Sequence, residues 1–179
     1  ADLSRWGIGS ANNGGGTDGE EFTFPSRSAT AGEYIYIGSE SESFAAFFGF
    51  EPDYTSSAMS VNGDDAIELF QDASVIDTFG VPTVDGTGQS WDYLDGWASR
   101  LPGSSAGDFD PAQWLFSGAN ALDGETTNAS AAMPIPLGSF TGEPPAPPVR
   151  TITINEIDAD NTGTDSAEFI ELYDGGAGG

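Results

Sequence analysis

The chain predicts an all-β domain of the sandwich or barrel kind, and three observations carry that prediction. Short runs rich in Ile, Val, Phe and Tyr recur along it: YIYIG (34–38), AIELF (66–70), SVIDTFG (74–80), TITINEI (151–157) and EFIELY (168–173). Gly/Asp clusters such as NGDD (62–65) and VDGTG (84–88) stand between them, which is how turns punctuate short strands. TITINEI also alternates: Ile152 and Ile154 share one face while Thr151, Thr153 and Asn155 take the other, as in a strand with one wet side.

Each element follows from local chemistry. ADLSRWGI (1–8) reads as a strand. SESESFAAFFGF (39–50) departs from the β pattern, with Phe44, Phe47 and Phe48 at helical spacing. Ser39 and Glu42 have capping-box spacing and Gly49 is a C-terminal stop, so a short helix is expected, its phenylalanines facing core rather than a ligand. Asp110 and Pro111 start a helical turn that carries Trp114. TGEPPAPPVR (141–150) holds 4 prolines and reads as an extended, semi-rigid spacer of about 3.1 Å per residue. The expected organisation is thus a β-domain over 1–140, a linker over 141–150 and two strands over 151–179.

With 179 residues and 18.5 kDa there is room for one domain with a real core. The 29 Asp and Glu face only Arg5, Arg27, Arg100 and Arg150, a formal charge of -25. Such a field repels nucleic acid and anionic membrane and attracts cations. An aromatic content of 12% and the patterned apolar runs argue for folding despite that charge, helped by cations that screen the carboxylates. No run of 18 apolar residues predicts a membrane-crossing helix. With no cysteine there are no disulfides, and the compartment cannot be read from redox chemistry. Abundant Gly, Ser, Thr and Asp favour an extracellular or cell-surface setting, with a salt-adapted intracellular protein as the alternative; Ala1 fits a processed mature end or a fragment boundary.

Residue types exclude most catalysis. Without His, Cys or Lys there is no Ser-His or Cys-His pair, no Schiff-base lysine and no imidazole zinc site. Glu156, Glu168 and Glu171 are the remaining acid–base candidates, and they are better explained as acids flanking strands, so no enzyme is expected. Asp158, Asp160, Asn161, Asp165 and Glu168 crowd hard oxygens around Gly163, the ligand chemistry of Ca2+. This is no EF-hand, since Thr162 and Phe169 replace an Asx and the closing Glu; an Asx-rich solvated turn is the plain alternative. Arg100, close in sequence to Trp91 and Trp97, is expected to stack on an indole within an ion pair. Asn128 in NAS fits a glycosylation sequon.

INEIDADNTGTDSAEFIELYD (154–174) resembles the opening of the lamin tail domain, in which an INE strand leads through a polar loop into an EF-I/V-EL strand. DLSRWGI (2–8) resembles the element that follows there, and AGEYIYIG (31–38) and NGDDAIELFQDASVIDTFG (62–80) resemble later strands. VDGTGQSWDYLDGWASR (84–100) and FDPAQWLFSGANALDG (109–124) are similar to the bacterial branch found in secreted nucleases and surface proteins. The resemblance implies an immunoglobulin-like β-sandwich acting as a non-catalytic module. Arg5 stands where the family commonly has glycine, and the INE strand lies beyond the linker instead of at the start. Residues 151–179 then look like donor strands that complete a sandwich lacking its first strand, in a neighbouring copy or, permuted, in the same chain. The first arrangement makes copies of the chain its own partners in a filament or tandem array. The second makes a monomeric accessory module that targets carbohydrate or a surface.

Overall fold

Six residues, Trp6–Ala11, form strand β1, and every residue after Trp6 in it is buried. Along the chain follow β2 (Phe22–Thr23), β3 (Ile37–Gly38), helix α1 (Glu42–Phe48), β4 (Tyr54–Thr55), β5 (Ala66–Gln71), β6 (Ser74–Phe79), β7 (Ala98–Arg100), β8 (Trp114–Phe116), β9 (Ile152–Asp158) and β10 (Phe169–Asp174). The structure, a computed structural model, describes residues 1–142 with their side chains and the backbone of β9 and β10. Contacts divide the chain into two units, Ala1–Gly142 and Glu143–Gly179. The architecture is β-rich, mostly antiparallel, with one α-helix among the described residues.

The first unit is organised by a four-stranded antiparallel sheet in the order β2-β1-β5-β6. β1 and β5 pair over six residues, from Trp6 opposite Gln71 to Ala11 opposite Ala66. The β5–β6 hairpin turns on Asp72 and Ala73, both at positive φ (51° and 62°), without the usual glycine. Asp72 is held there from two directions: its N–H donates to the Arg5 carbonyl and its carboxylate accepts from the Arg5 guanidinium. Two small pairs flank this sheet, β7 with β8 antiparallel and β3 with β4 parallel.

One side of β1 is made of glycine for a steric reason. A Cβ on Gly9 would lie 2.4 Å from the Gly19 carbonyl oxygen, so the segment entering β2 crosses directly over the strand. Glu21 fastens that crossing, its carboxylate accepting from Ser10 N and Oγ at 2.7 and 3.0 Å. The opposite side of the sheet carries the core: Leu3, Ile8, Phe24 and Ala58 are buried, with Trp6, Phe22, Ile35, Ile37, Tyr54 and Leu69 packed against them. Phe22, Phe24 and Tyr54 form a triangle of aromatic contacts with centroids 5.3 to 6.0 Å apart.

The helix departs from expectation at its start. Ser41, not Ser39, is the N-cap and makes no side-chain cap bond. Glu40 takes over, accepting from the N–H groups of Glu42 and Ser43 at 2.8 and 2.9 Å. A carboxylate outcompetes a hydroxyl at the positive end of a helix, and the hydrogen bonds from Ser43 hold Glu40 below the ordinary glutamate range. Gly49 closes the other end at φ 82°, donating to Ala45 O. No residue of the helix is fully buried. Phe44, Phe47 and Phe48 join Tyr36 and Phe50 in a half-exposed satellite cluster, because two helical turns are too short to carry the rings into the main core.

In the second unit β9 and β10 pair antiparallel, with Ile157 opposite Ile170 and Ile154 opposite Leu172. Ile154 and Ile157 are an odd number of positions apart, and the register shift at Glu171/Leu172 is what brings both opposite apolar residues. Pairing breaks there and resumes one residue on.

Gly9→Ala is expected to destabilise the protein by about 2–3 kcal/mol, since the new methyl meets backbone rather than a movable side chain. Gly142→Ala, with nothing within 4 Å, is the matched control and should be close to neutral. Denaturant midpoints of the two variants measure the difference.

Candidate interaction face

Strand alternation and register gather a row of apolar residues on the core side of the four-stranded sheet. Ile8 lies opposite Leu69, Leu69 opposite Asp77, and Ile67 opposite Phe79. Two clefts open along this side and share Ile8 and Leu69. One, of about 300 Å³, is lined further by Phe79, Tyr93, Ala98, Arg100 and Trp114. The other, of about 360 Å³, is lined by Leu3, Trp6, Phe24, Ile35 and Ile37. The wall exposed in both is mainly carbon, so what the face offers chemically is burial of apolar side chains and little else.

The first cleft ends in a polar clamp. Arg100 Nη2 donates to Asp77 Oδ1 at 2.7 Å and Nη1 to the Ser105 carbonyl at 2.6 Å, while the guanidinium stacks on Trp114, 4.5 Å from its centroid. Its stacking partner is therefore Trp114, not Trp91 or Trp97, because β7 pairs with β8 and sets Arg100 opposite Trp114. Asp77 Oδ1 also accepts from Gly107 N, and Thr78 N donates to Gly107 O, which ties the 105–107 loop over the outer edge of β6. Phe79 is the aromatic hub behind the clamp, in contact with Trp91, Tyr93, Phe109, Trp114 and Phe116. Burial, with the nearby charges of Asp65 and Asp64, pushes the Tyr93 hydroxyl above the usual tyrosine range. It donates to the Asp65 carbonyl and stays protonated.

The second cleft is bounded by an open strand edge. Tyr36 O accepts from Tyr54 N and Gly38 O from Ser56 N, so β3 spends one edge on β4. No other described strand pairs with β3. The YIYIG run predicts five strand residues, whereas only Ile37 and Gly38 are in a strand. Ile35 and Ile37 instead face the cleft.

Other singled-out residues serve structure. Asp65 sits buried in the NGDD turn and accepts from Asn13 N and Asn62 N. Asn128 uses both ends of its amide on Ile135, donating to its carbonyl and accepting from its N–H, so the sequon nitrogen is committed to a loop closure. None of the four tryptophans is exposed. Asp158 ends β9 opposite Phe169, and Asp160, Asn161, Asp165 and Glu168 lie outside the described residues. No group of three acidic side chains among the described residues is arranged to hold a metal ion. No helix among them is long and apolar enough to cross a membrane. Comparison with protein-family models, with curated proteins and with solved structures gave no match.

The clamp was half legible, since sequence marked Arg100 as a rare cation but could not choose its indole. The clefts carried no sequence signal, because they arise from what only partly covers Leu69 and Ile35.

Arg100→Ala is expected to cost about 2–3 kcal/mol, leaving Asp77 without its guanidinium in a half-buried setting. Arg100→Lys should recover part of this, because an ammonium replaces the charge but neither the second hydrogen bond nor the planar stack. Urea denaturation of both variants gives the comparison.

Proposed function

We propose that this chain is a non-catalytic, extracellular structural module with an immunoglobulin-like, lamin-tail-like sandwich, which joins copies of itself by strand complementation. The observation that supports this reading best is the incompletely filled core side of the sheet in residues 1–142, where two apolar clefts meet at Ile8 and Leu69. The second unit has the complementary need. Its described strands make a two-stranded sheet, which is marginal in water by itself, and they carry Ile152, Ile154, Ile157, Ile170 and Leu172. Proline-rich residues 141–150 resist sharp reversal, which favours delivery of these strands to a neighbouring copy. Adding a strand to an exposed edge satisfies backbone groups and apolar surface together. The resemblance of residues 154–174 to the opening strands of a lamin tail domain agrees with that division of labour.

The alternative, a monomeric permuted module that targets carbohydrate, needs a flat aromatic platform. The half-exposed cluster of Tyr36, Phe44, Phe47, Phe48 and Phe50 is what favours it. The indoles do not, since all four are buried or half-buried and Trp114 is covered by Arg100.

Light scattering on the full chain across a concentration series separates these readings. Assembly predicts a mass that grows with concentration and a loss of that growth in Ile154→Asp. A monomer at every concentration rejects it.

Calcium belongs to the same reading, with Asp158, Asp160, Asn161, Asp165 and Glu168, which precede β10 in the sequence, as oxygen ligands. Added to chelator-treated protein, millimolar calcium is expected to raise the melting temperature, and Asp160→Ala to remove that rise. An equal rise with magnesium or sodium assigns the effect to charge screening instead.

A further inference from the structure

The first unit has several strand edges, and they are not equivalent. The outer edge of β6 is occupied in part by the 105–107 loop, through Thr78 N to Gly107 O and Gly107 N to Asp77. β2 is two residues long, and Glu20 and Glu21 stand immediately before it. The edge at Tyr34–Gly38 has no charged residue within YIYIG, the Glu33 that precedes it is paired with Arg27, and no strand lies on its far side among the described residues. Tyr36 directs its carbonyl to Tyr54 N and its N–H to Asp53 Oδ2, both on the β4 side. Backbone groups alternate along an extended strand, so the N–H and C=O of Ile37 turn away from β4, toward the open side. Directly beneath lies the 360 Å³ cleft, into which Ile35 and Ile37 already project beside Leu3, Trp6 and Phe24.

Resting on the assembly reading above, we infer that the open edge at Tyr34–Gly38 is the acceptor for β9 of a second copy. Charge selects both the edge and its occupant. Two chains of formal charge -25 repel almost everywhere, and close contact is least costly where a stretch without carboxylates meets another. β9 supplies such a stretch in Ile152–Asn155, its acids being confined to Glu156 and Asp158. Its own sheet is β10-β9, so one edge of β9 has no partner among the described residues. Main-chain hydrogen bonds would give the pairing its affinity, and isoleucines entering the cleft would give it register.

The chain has no cysteine, so engineered pairs report the contact without background. Full-length Ile35→Cys is mixed with full-length Thr153→Cys, Ile154→Cys or Asn155→Cys and oxidised gently, each variant first shown to melt like the parent. Val75→Cys, exposed on β6, replaces Ile35→Cys as the control. The inference expects a disulfide heterodimer with at least one β9 position, severalfold above the control. In addition, Ile35→Asp in the uncrosslinked chain should lower the scattering mass. Heterodimers formed with Val75→Cys instead overturn the choice of edge while leaving assembly intact. A double variant that closes on itself as a monomer overturns the second copy as occupant. Parent protein that scatters as a monomer at all concentrations removes the assembly reading itself, and the inference with it.

Discussion

The pairing of Trp6–Ala11 with Ala66–Gln71 is the contact on which the rest of residues 1–142 depends. It joins segments about sixty positions apart, and both faces of the protein are built from it. On one face the glycines of WGIG let the segment before β2 pass at backbone distance. On the other, Ile8 and Leu69 found the core and both clefts. Closing so long a loop costs conformational entropy before any contact rewards it. The many ties around it make sense on that account: Arg5 to Asp72 at one end of the pair, and Asn13 to Asp65 at the other.

Charge is the second constraint, and it shapes how the first is met. Arg5, Arg27 and Arg100, the guanidiniums of the first unit, are all in ion pairs. Most carboxylates therefore have to be satisfied without cations, and many are satisfied by main-chain N–H groups: Glu21 by Ser10, Asp65 by Asn13 and Asn62, Asp53 by Tyr36, Asp92 by Gly88 and Leu94. Loops rich in such bonds replace regular strands over long stretches. Carboxylates that cap turns are a way of folding an acidic chain, because every bond satisfies an N–H and stabilises an anion at once.

That substitution explains what could be read from the sequence and what could not. AIELF and SVIDTFG stand out as strands because they are rich in β-branched and aromatic residues between Gly/Asp turns, although only β5 alternates in burial, and the hairpin between them holds without a glycine because Arg5 secures Asp72. YIYIG has the same local propensity yet is mostly not strand, since only β4 pairs with it and only over two residues. Propensity reports a willingness to pair; the partner has to come from elsewhere in the chain. The helix was visible from Phe44, Phe47, Phe48 and Gly49, but its cap was not, because Glu40 competes with the serines by charge, which spacing rules do not weigh. Arg100 was visible as a rare cation, and its indole was decided by the β7–β8 register.

An exposed edge of the type seen at Tyr34–Gly38 is ordinarily a hazard, and proteins blunt such edges with charges, bulges or covering loops. Here those devices are present at the other edges, with Glu20 and Glu21 before β2 and the 105–107 loop on β6, and are weaker at this one, where Glu33 is paired with Arg27 and only the Tyr34 hydroxyl is tied to a loop, at Phe140 O. An acidic surface already discourages indiscriminate contact, so leaving one neutral edge uncovered need not invite aggregation. In the assembly proposed above two tasks usually assigned to the same residues are separated: the carboxylates discourage association elsewhere, and the strand without charges, with the apolar cleft beneath it, is the place left for it. Specificity of this kind comes mainly from repulsion elsewhere, and so requires only modest affinity at the edge itself.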